Sequence, residues 1–500
     1  MRRKSILLIL SILVLGLVLR VYKVADLASS AYKLNSMPLY GDELTIVYDA
    51  YSLLKTGKDQ TGESLPVTFK MGAGRPPGYV YGSIPFVALF GPTAWGVRGL
   101  SIISGLGMIV LMYFLGRKLF GEKVGLIASF LTSISLWDIY LSRGGFEAHF
   151  ALFLATFGVV MFLYKKYIPM AIAWGLAIFT YPTFKLTLPF IFLVLLFFSG
   201  STTKTNYIKI LKNKLFIISV VILAIFGGLS VNETLKGTSE ERFLRLNIFS
   251  DSATKESIIQ KVNSEREMST LPELIRPIFY NKPLNYSRLL LDNYMENISL
   301  DFLYLRGDRN PRHNPGEWGM FYLVELPLLF AGLYLIFKND KNKFLFLVKW
   351  ILIVPLATMF LGQTHGLRNA FMIPPFILIT AYAFSKLNKK MVLISAGLIG
   401  IQLIFVLSAV YFLAPNKFAG FWSKGAYETT LEALEQKNNY ETVVLSTKID
   451  NIEYGFPVYA GIDPVEVISQ YGYFPKTYGN VIITDDIENM QQDKNTLIIE

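Results

Sequence analysis

Apolar runs of a length to cross about 30 Å of hydrocarbon recur through this chain. They lie near residues 5–20, 94–116, 123–141, 146–164, 168–182, 185–199, 213–231, 318–337, 344–362, 369–385 and 391–413. In lipid every backbone N–H and C=O must find its partner inside the protein, so such runs can only be helices. The chain has 500 residues, of which 52% are hydrophobic and 17% charged, with a mean hydropathy of +0.42. That is too apolar for a soluble multidomain protein. The pattern predicts a polytopic α-helical membrane protein with about 11 transmembrane helices, embedded in a lipid bilayer.

The loops between these runs sort by charge. Short basic ones, "MRRK", "GRKLFGEK", "YKKY", "TKTNYIKILKNK", "KNDKNK" and "KLNKK", alternate with loops that are long or poor in Lys and Arg. The positive-inside rule then puts the N-terminus in the cytoplasm and the C-terminal part outside. The formal charge of +11 is a topology signal on this reading, and no nucleic-acid partner is expected. With no cysteine in the chain, disulfides, thiolate metal sites and cysteine nucleophiles are excluded. The opening "MRRKSILLILSILVLGLVLR" has no small-x-small cleavage site and reads as an uncleaved anchor.

Three large parts are expected outside: a first loop over 21–93, a second over 232–317, and a tail over 414–500. The tail reads as a small extracytoplasmic α/β domain. It has one helical stretch, "YETTLEALEQKNN", and short β-like runs "ETVVLST", "VEVIS", "NVIITDD" and "NTLIIE". The organisation is thus a transmembrane domain, 1–413, followed by the domain 414–500.

Charged residues gather at the outer ends of the spans. The segment "MPLYGDELTIVYDAYSLLKTGKD" carries Asp42 and Glu43 at the head of an amphipathic stretch, with Leu44, Val47, Tyr48, Tyr51 and Leu54 at helical spacing and Gly57 as a stop. It reads as a helix lying on the outer membrane surface, and two carboxylates at its N-terminus would suit capping and the macrodipole. The same loop continues "GAGRPPGYVYGSIPF", where prolines stiffen the chain around Arg75. The stretch "SLWDIYLSRGGFEAHFALF" adds Arg143, Glu147 and His149, and "GQTHGLRNAFMIPPF" adds His365 and Arg368. His313 and Lys185 map to the same level. Acids beside fixed cations suit a general base working next to a bound phosphate, because arginine forks match phosphate oxygens. Glu147 has a simpler alternative in an ion pair with Arg143, four residues earlier. Two histidines and two carboxylates on one face are able to bind a divalent metal. Their spacing carries no metal-site signature, and no metal ligand is assigned.

An Asp-Glu pair after the first span, followed by a basic-Pro-Pro motif, resembles the GT-C membrane glycosyltransferases. The similarity points to protein O-mannosyltransferases and to the aminoarabinose transferases that modify lipid A. The latter carry Lys-Pro-Pro where this chain has Arg75-Pro76-Pro77. "LWDIYLSRGGFEAHF" resembles the junction holding the family's second acidic residue, a place filled here by Glu147. "GDRNPRHNPGEWGMFYLVELP" and "HGLRNAFMIPPF" resemble later loops of bacterial members. The resemblance covers most of 1–413. It implies sugar transfer, with inversion, from a polyprenyl-phosphate sugar donor to a lipid, protein or glycan acceptor. Asp42 would be the base, with Glu43 supporting it and Glu147 as the second acid. Arg75, Arg143 and Arg368, joined by Lys185, His149 and His365, would bind the phosphate and substrate. The competing reading is a lipid or polysaccharide transporter or flippase. Charges in mid-span and repeated halves would favour it, and neither is evident.

Overall fold

The structure, a computed structural model, describes residues 3–25, 34–200, 204–236, 247–362, 364–487, 490 and 495–500. Stretches of the outer loops at 26–33 and 237–246 lie outside the described residues. The membrane part contains α1 (Arg3–Val21), α2 (Gly41–Thr56), α3 (Gly78–Phe90), α4 (Ala94–Phe120), α5 (Glu122–Ile134), α6 (Leu136–Ser142) and α7 (Glu147–Leu163). It continues with α8 (Tyr167–Ile178), α9 (Thr183–Gly200), α10 (Lys214–Leu235), α11 (Ser252–Met268) and α12 (Lys282–Asn297), then α13 (Glu325–Asn339), α14 (Lys341–Thr358), α15 (Ile373–Phe384) and α16 (Lys389–Ser408).

Every expected apolar run contains a helix, and these helices differ in length. Five described helices are long and apolar enough to cross a membrane. Counting α5 and α6 as one span bent by 55° gives six. Others are short: the 12 residues of α8 reach only about 18 Å. One apolar helix, α3, falls where the reading placed only an outer loop. The chain is a multi-pass membrane protein.

Local chemistry explains the turns that aim the bundle. Gly121, at φ +97°, joins α4 to α5, a conformation that favours glycine. The two helices then pack so closely that a Cβ on Gly116 would stand 2.9 Å from the Gly125 Cα. At the α5–α6 break the Ser135 hydroxyl accepts the Asp138 N–H at 3.4 Å, capping the second half.

The expected surface helix is α2, with Gly57 in the left-handed region at its C-terminus. It does not lie exposed on the membrane. Leu44, Ile46, Val47 and Ala50 are fully buried, because α3 and the C-terminal part both pack against it.

That part holds α17 (Lys424–Gln436), α18 (Ile452–Ala460) and a four-stranded sheet. Its strands are β1 (Thr442–Ser446), β2 (Lys476–Tyr478), β3 (Val481–Thr484) and β4 (Thr496–Ile499), in the order β2-β3-β1-β4. β1 runs parallel to β3 and β4, and β2 is antiparallel to β3. "VEVIS", expected as a strand, is instead part of a short helix, Pro464–Ser469. Pro464 stands at its first turn, and the Asp463 carboxylate accepts the Val465 N–H at 2.8 Å. The tail is no detached module. Tyr459 Oη accepts the Leu39 N–H at 2.9 Å, and Tyr48 Oη donates to the Ile462 carbonyl at 2.9 Å. Leu44, Val47 and Tyr48 share a core with Phe456, Val467 and Ile483.

Candidate active site

At one end of the bundle, the first turns of α2 and α7 and the segment before α3 meet. Arg75 is held in extended backbone by reciprocal hydrogen bonds with Phe69, at 2.9 and 3.0 Å. Its guanidinium is fully buried. Nη2 donates to Asp42 Oδ1 at 2.7 Å, Nε to Glu147 Oε1 at 3.0 Å, and Nη1 to Thr45 Oγ1 at 2.8 Å. The side chain expected to grip a phosphate is therefore fixed between two carboxylates. Glu147 pairs with Arg75, not with Arg143.

Asp42 and Glu43 divide their roles. Glu43 completes a capping box with the N–H of Tyr40, so the helix-capping reading fits this residue. Its carboxylate also takes a bidentate pair from Arg98 on α4, at 2.8 and 2.7 Å, and accepts the Gly145 N–H at 2.7 Å. Arg98 spends its remaining donors on the carbonyls of Val24, Met37 and Pro38. The Asp42 side chain keeps 39% of its area exposed, against 0% for Glu43 and 4% for Glu147. Only Asp42 of the three is open to an incoming molecule.

Behind Asp42, Asp49 lies buried on the same side of α2 and accepts the Gln60 N–H at 3.1 Å. Burial pushes its carboxyl up to about 7, moderated by the Gln60 hydrogen bonds and by Arg75. The Gln60 amide donates in turn to the Thr45 carbonyl at 3.2 Å.

The other expected residues sit elsewhere. His149 faces Asp138 at 3.2 Å, and Asp138 pairs with Arg20 of α1 at 2.5 Å, in a buried network inside the bundle. Arg143 donates to the carbonyls of Arg20, Tyr22 and Lys23 and stacks over Tyr411. It anchors the end of α1. Arg368 donates to the Leu361 carbonyl at 3.0 Å. His365 lies 4.3 Å, ring to ring, from His313.

Lys185 stands in an apolar cleft of about 520 Å³ between α8, α9 and α10, lined by Trp174, Leu188, Phe192, Leu223 and Val231. Burial lowers the chance of finding such a cation without an anionic neighbour. At the C-terminal end of α10 a second, polar cavity of about 490 Å³ begins, lined by Glu233, Lys236, Lys70 and Gly74. Gly74 precedes Arg75. The two cavities are lined by neighbouring residues of the end of α10: Thr234 and Leu235 in the first, Glu233 and Lys236 in the second.

Sequence reasoning passed over Arg98, Asp138 and Arg20. Each was a charge within or at the end of a run counted as a span, and a charge there needs a buried partner.

Several solved structures share this arrangement of helices. ArnT from Cupriavidus metallidurans bound to undecaprenyl phosphate superposes with a TM-score of 0.57 at 11% identity, covering 99% of this chain and 92% of that one. The chain has the GT-C glycosyltransferase fold. The Archaeoglobus fulgidus oligosaccharyltransferase gives a TM-score of 0.52 at 12% identity, over 92% of this chain and 63% of that one. Residues 74–228 match the family described as dolichyl-phosphate-mannose-protein mannosyltransferase. That stretch begins beside Arg75 and includes Glu147, His149 and Lys185. No curated protein sequence matches.

Proposed function

We propose that the protein transfers a sugar from a polyprenyl-phosphate donor to an acceptor hydroxyl at the outer membrane face. The observation that carries this reading is the Asp42–Arg75–Glu147 cluster, in which Asp42 alone of the three is exposed. Proteins of the same fold add support: ArnT from Cupriavidus metallidurans was crystallised with undecaprenyl phosphate, and the oligosaccharyltransferase AglB from Archaeoglobus fulgidus was solved in complex with an inhibitory peptide and dolichol phosphate.

In this reading the prenyl chain lies along α8, α9 and α10, and its phosphate sits at the cleft mouth, where Lys185, Lys236 and Lys70 supply positive charge. Asp42 takes the acceptor's hydroxyl proton as that oxygen attacks the anomeric carbon. The bond from that carbon to the phosphate oxygen breaks, and the lipid phosphate leaves with the electron pair, inverting the anomeric centre. Arg75 fixes the Asp42 carboxylate in place, so little reorganisation is needed during reaction. Glu147 holds Arg75 from the far side. The orientation follows the basic loops, with the N-terminus cytoplasmic and the tail outside.

Asp42→Asn tests the proposal. Losing a placed base is expected to slow transfer about 100- to 10,000-fold. Because Asp42 is partly exposed, the melting temperature should stay near that of the wild type. The assay is transfer from a synthetic polyprenyl-phosphate sugar in detergent. Unchanged turnover in the variant overturns the base assignment. Donor transport across vesicles without transfer would favour the flippase reading.

A further inference from the structure

We propose that Asp308, His313 and His365 form a binding site for one divalent transition-metal ion of the zinc class, separate from the Asp42 carboxylates. The three residues come from two loops, 306–319 and 364–369, that the chain separates by the whole of α13 and α14. One ligand atom from each lies within 4.8 Å of the other two. The Asp308 and His313 side chains are buried, and His365 is half-buried.

The donor set is the first argument. Two imidazoles and one carboxylate suit zinc, cobalt or iron far better than magnesium or calcium, which prefer oxygen ligands. Spacing is the second. Asp308 Oδ2 and His313 Nδ1 stand 2.9 Å apart as a hydrogen-bonded pair; an ion replacing the shared proton would spread them to about 3.3–3.6 Å, the separation of tetrahedral ligands at about 2.0–2.2 Å.

The surrounding loop is built to hold the carboxylate. Asp308 Oδ1 accepts the Asn310 N–H at 2.8 Å, and Oδ2 accepts the Gly366 N–H at 2.5 Å. The Asn314 amide ties the Arg306 and Asp308 carbonyls together at 2.7 and 3.1 Å. Gly307 takes φ +74°, where a Cβ would meet the Trp318 carbonyl at 2.4 Å. The Trp137 indole donates to the Gly366 carbonyl at 3.0 Å, fixing the second loop to the bundle. Hydrogen-bonded support of this kind is what orients metal ligands.

Its place gives the site a purpose. The Phe146 ring lies 5.6 Å from His313 and 5.8 Å from Tyr40, and the next residue is Glu147. A bound ion would lock the two loops together one aromatic ring away from the carboxylate cluster. Three protein ligands also leave a coordination position for water or a ligand oxygen.

The test uses full-length, untagged protein in detergent, stripped with chelator and titrated with Co²⁺, followed by visible absorption and by competition with Zn²⁺. One ion per chain is expected, with an affinity at least about 100-fold lower in His365→Gln and in His313→Gln. Asp42→Asn should bind as the wild type does. His365 is half-buried, so its variant serves if His313→Gln fails to fold. Absence of stoichiometric binding by folded protein, or binding unchanged in His365→Gln, overturns the site. So does loss of binding in Asp42→Asn, which would move the ion to the other cluster.

Discussion

Replacing Arg75 with methionine removes the one cation within ion-pair distance of Glu147 among the described residues. Methionine approximates the arginine stem in volume, so packing is largely kept and the charge effect is isolated. The two carboxylates should then respond unequally. The 39%-exposed Asp42 can be rehydrated, and losing its pair costs at most about 1 kcal/mol. Glu147, 4% exposed, is left as an uncompensated buried charge, which typically costs about 3–5 kcal/mol. Neutralising it separates the two contributions. Arg75→Met/Glu147→Gln should recover about 2–3 kcal/mol of that loss, since contacting pairs couple by up to about this much. Asp42→Asn added to Arg75→Met should recover little. The measurement is apparent melting temperature by tryptophan fluorescence in detergent, for Arg75→Met and the two double variants. A wild-type melting temperature for Arg75→Met refutes the reasoning. So does a double variant with Glu147→Gln no more stable than Arg75→Met alone.

Two further predictions concern the frame around that cluster. The Asp49 carboxyl is pushed up to about 7 by burial, so the folded state holds its proton to higher pH than the unfolded chain does. Stability should therefore fall as pH rises from about 4 to about 7, by up to about 4 kcal/mol; Asp49→Asn should remove this slope, and an unchanged pH profile in the melting curves would refute it. Gly78, directly after Arg75-Pro76-Pro77, donates to the Phe179 carbonyl at 2.9 Å, and a Cβ there would meet Thr180 Oγ1 at 2.1 Å and that carbonyl at 3.0 Å. Gly78→Ala should cost about 1–3 kcal/mol and be only partly rescued by adding Thr180→Ala, because the backbone carbonyl remains; full rescue would show that the hydroxyl alone matters.

What could be read from the sequence, and what could not, divides along physical lines. Helices declared themselves because lipid allows the backbone no other regular state outside a barrel. The convergence of Asp42, Arg75 and Glu147 was legible because each flanks a span end on one expected side. Their pairing was not, since both carboxylates and several arginines shared that level and only packing selects among them. Arg143 shows the limit. It lies four residues before Glu147, yet its guanidinium closes on the carbonyls at the end of α1, acceptors that no side-chain pattern advertises. The strand expected at 465–469 failed for a local reason. Alternating apolar residues suggested β structure, but Asp463-Pro464 ahead of them is a helix start. The burial of α2 depended on contacts more than 400 positions away, such as Tyr48 to Ile462.

The Asp-Glu pair is where helix geometry and chemistry meet most closely. Neighbouring residues on a helix point about 100° apart, so Asp42 and Glu43 were bound to face different surroundings once α2 formed. Residues 42, 45 and 49 share one face. Asp42 and Thr45 on that face both touch Arg75, while Asp49 feels its charge. Glu43 points instead to α4 and spends both oxygens on Arg98. A buried bidentate pair with a capping role leaves no accessible oxygen for an acceptor hydroxyl. If the pair acts in catalysis, the chemistry must therefore fall to Asp42, and Glu43 must act by fixing the turn that presents it.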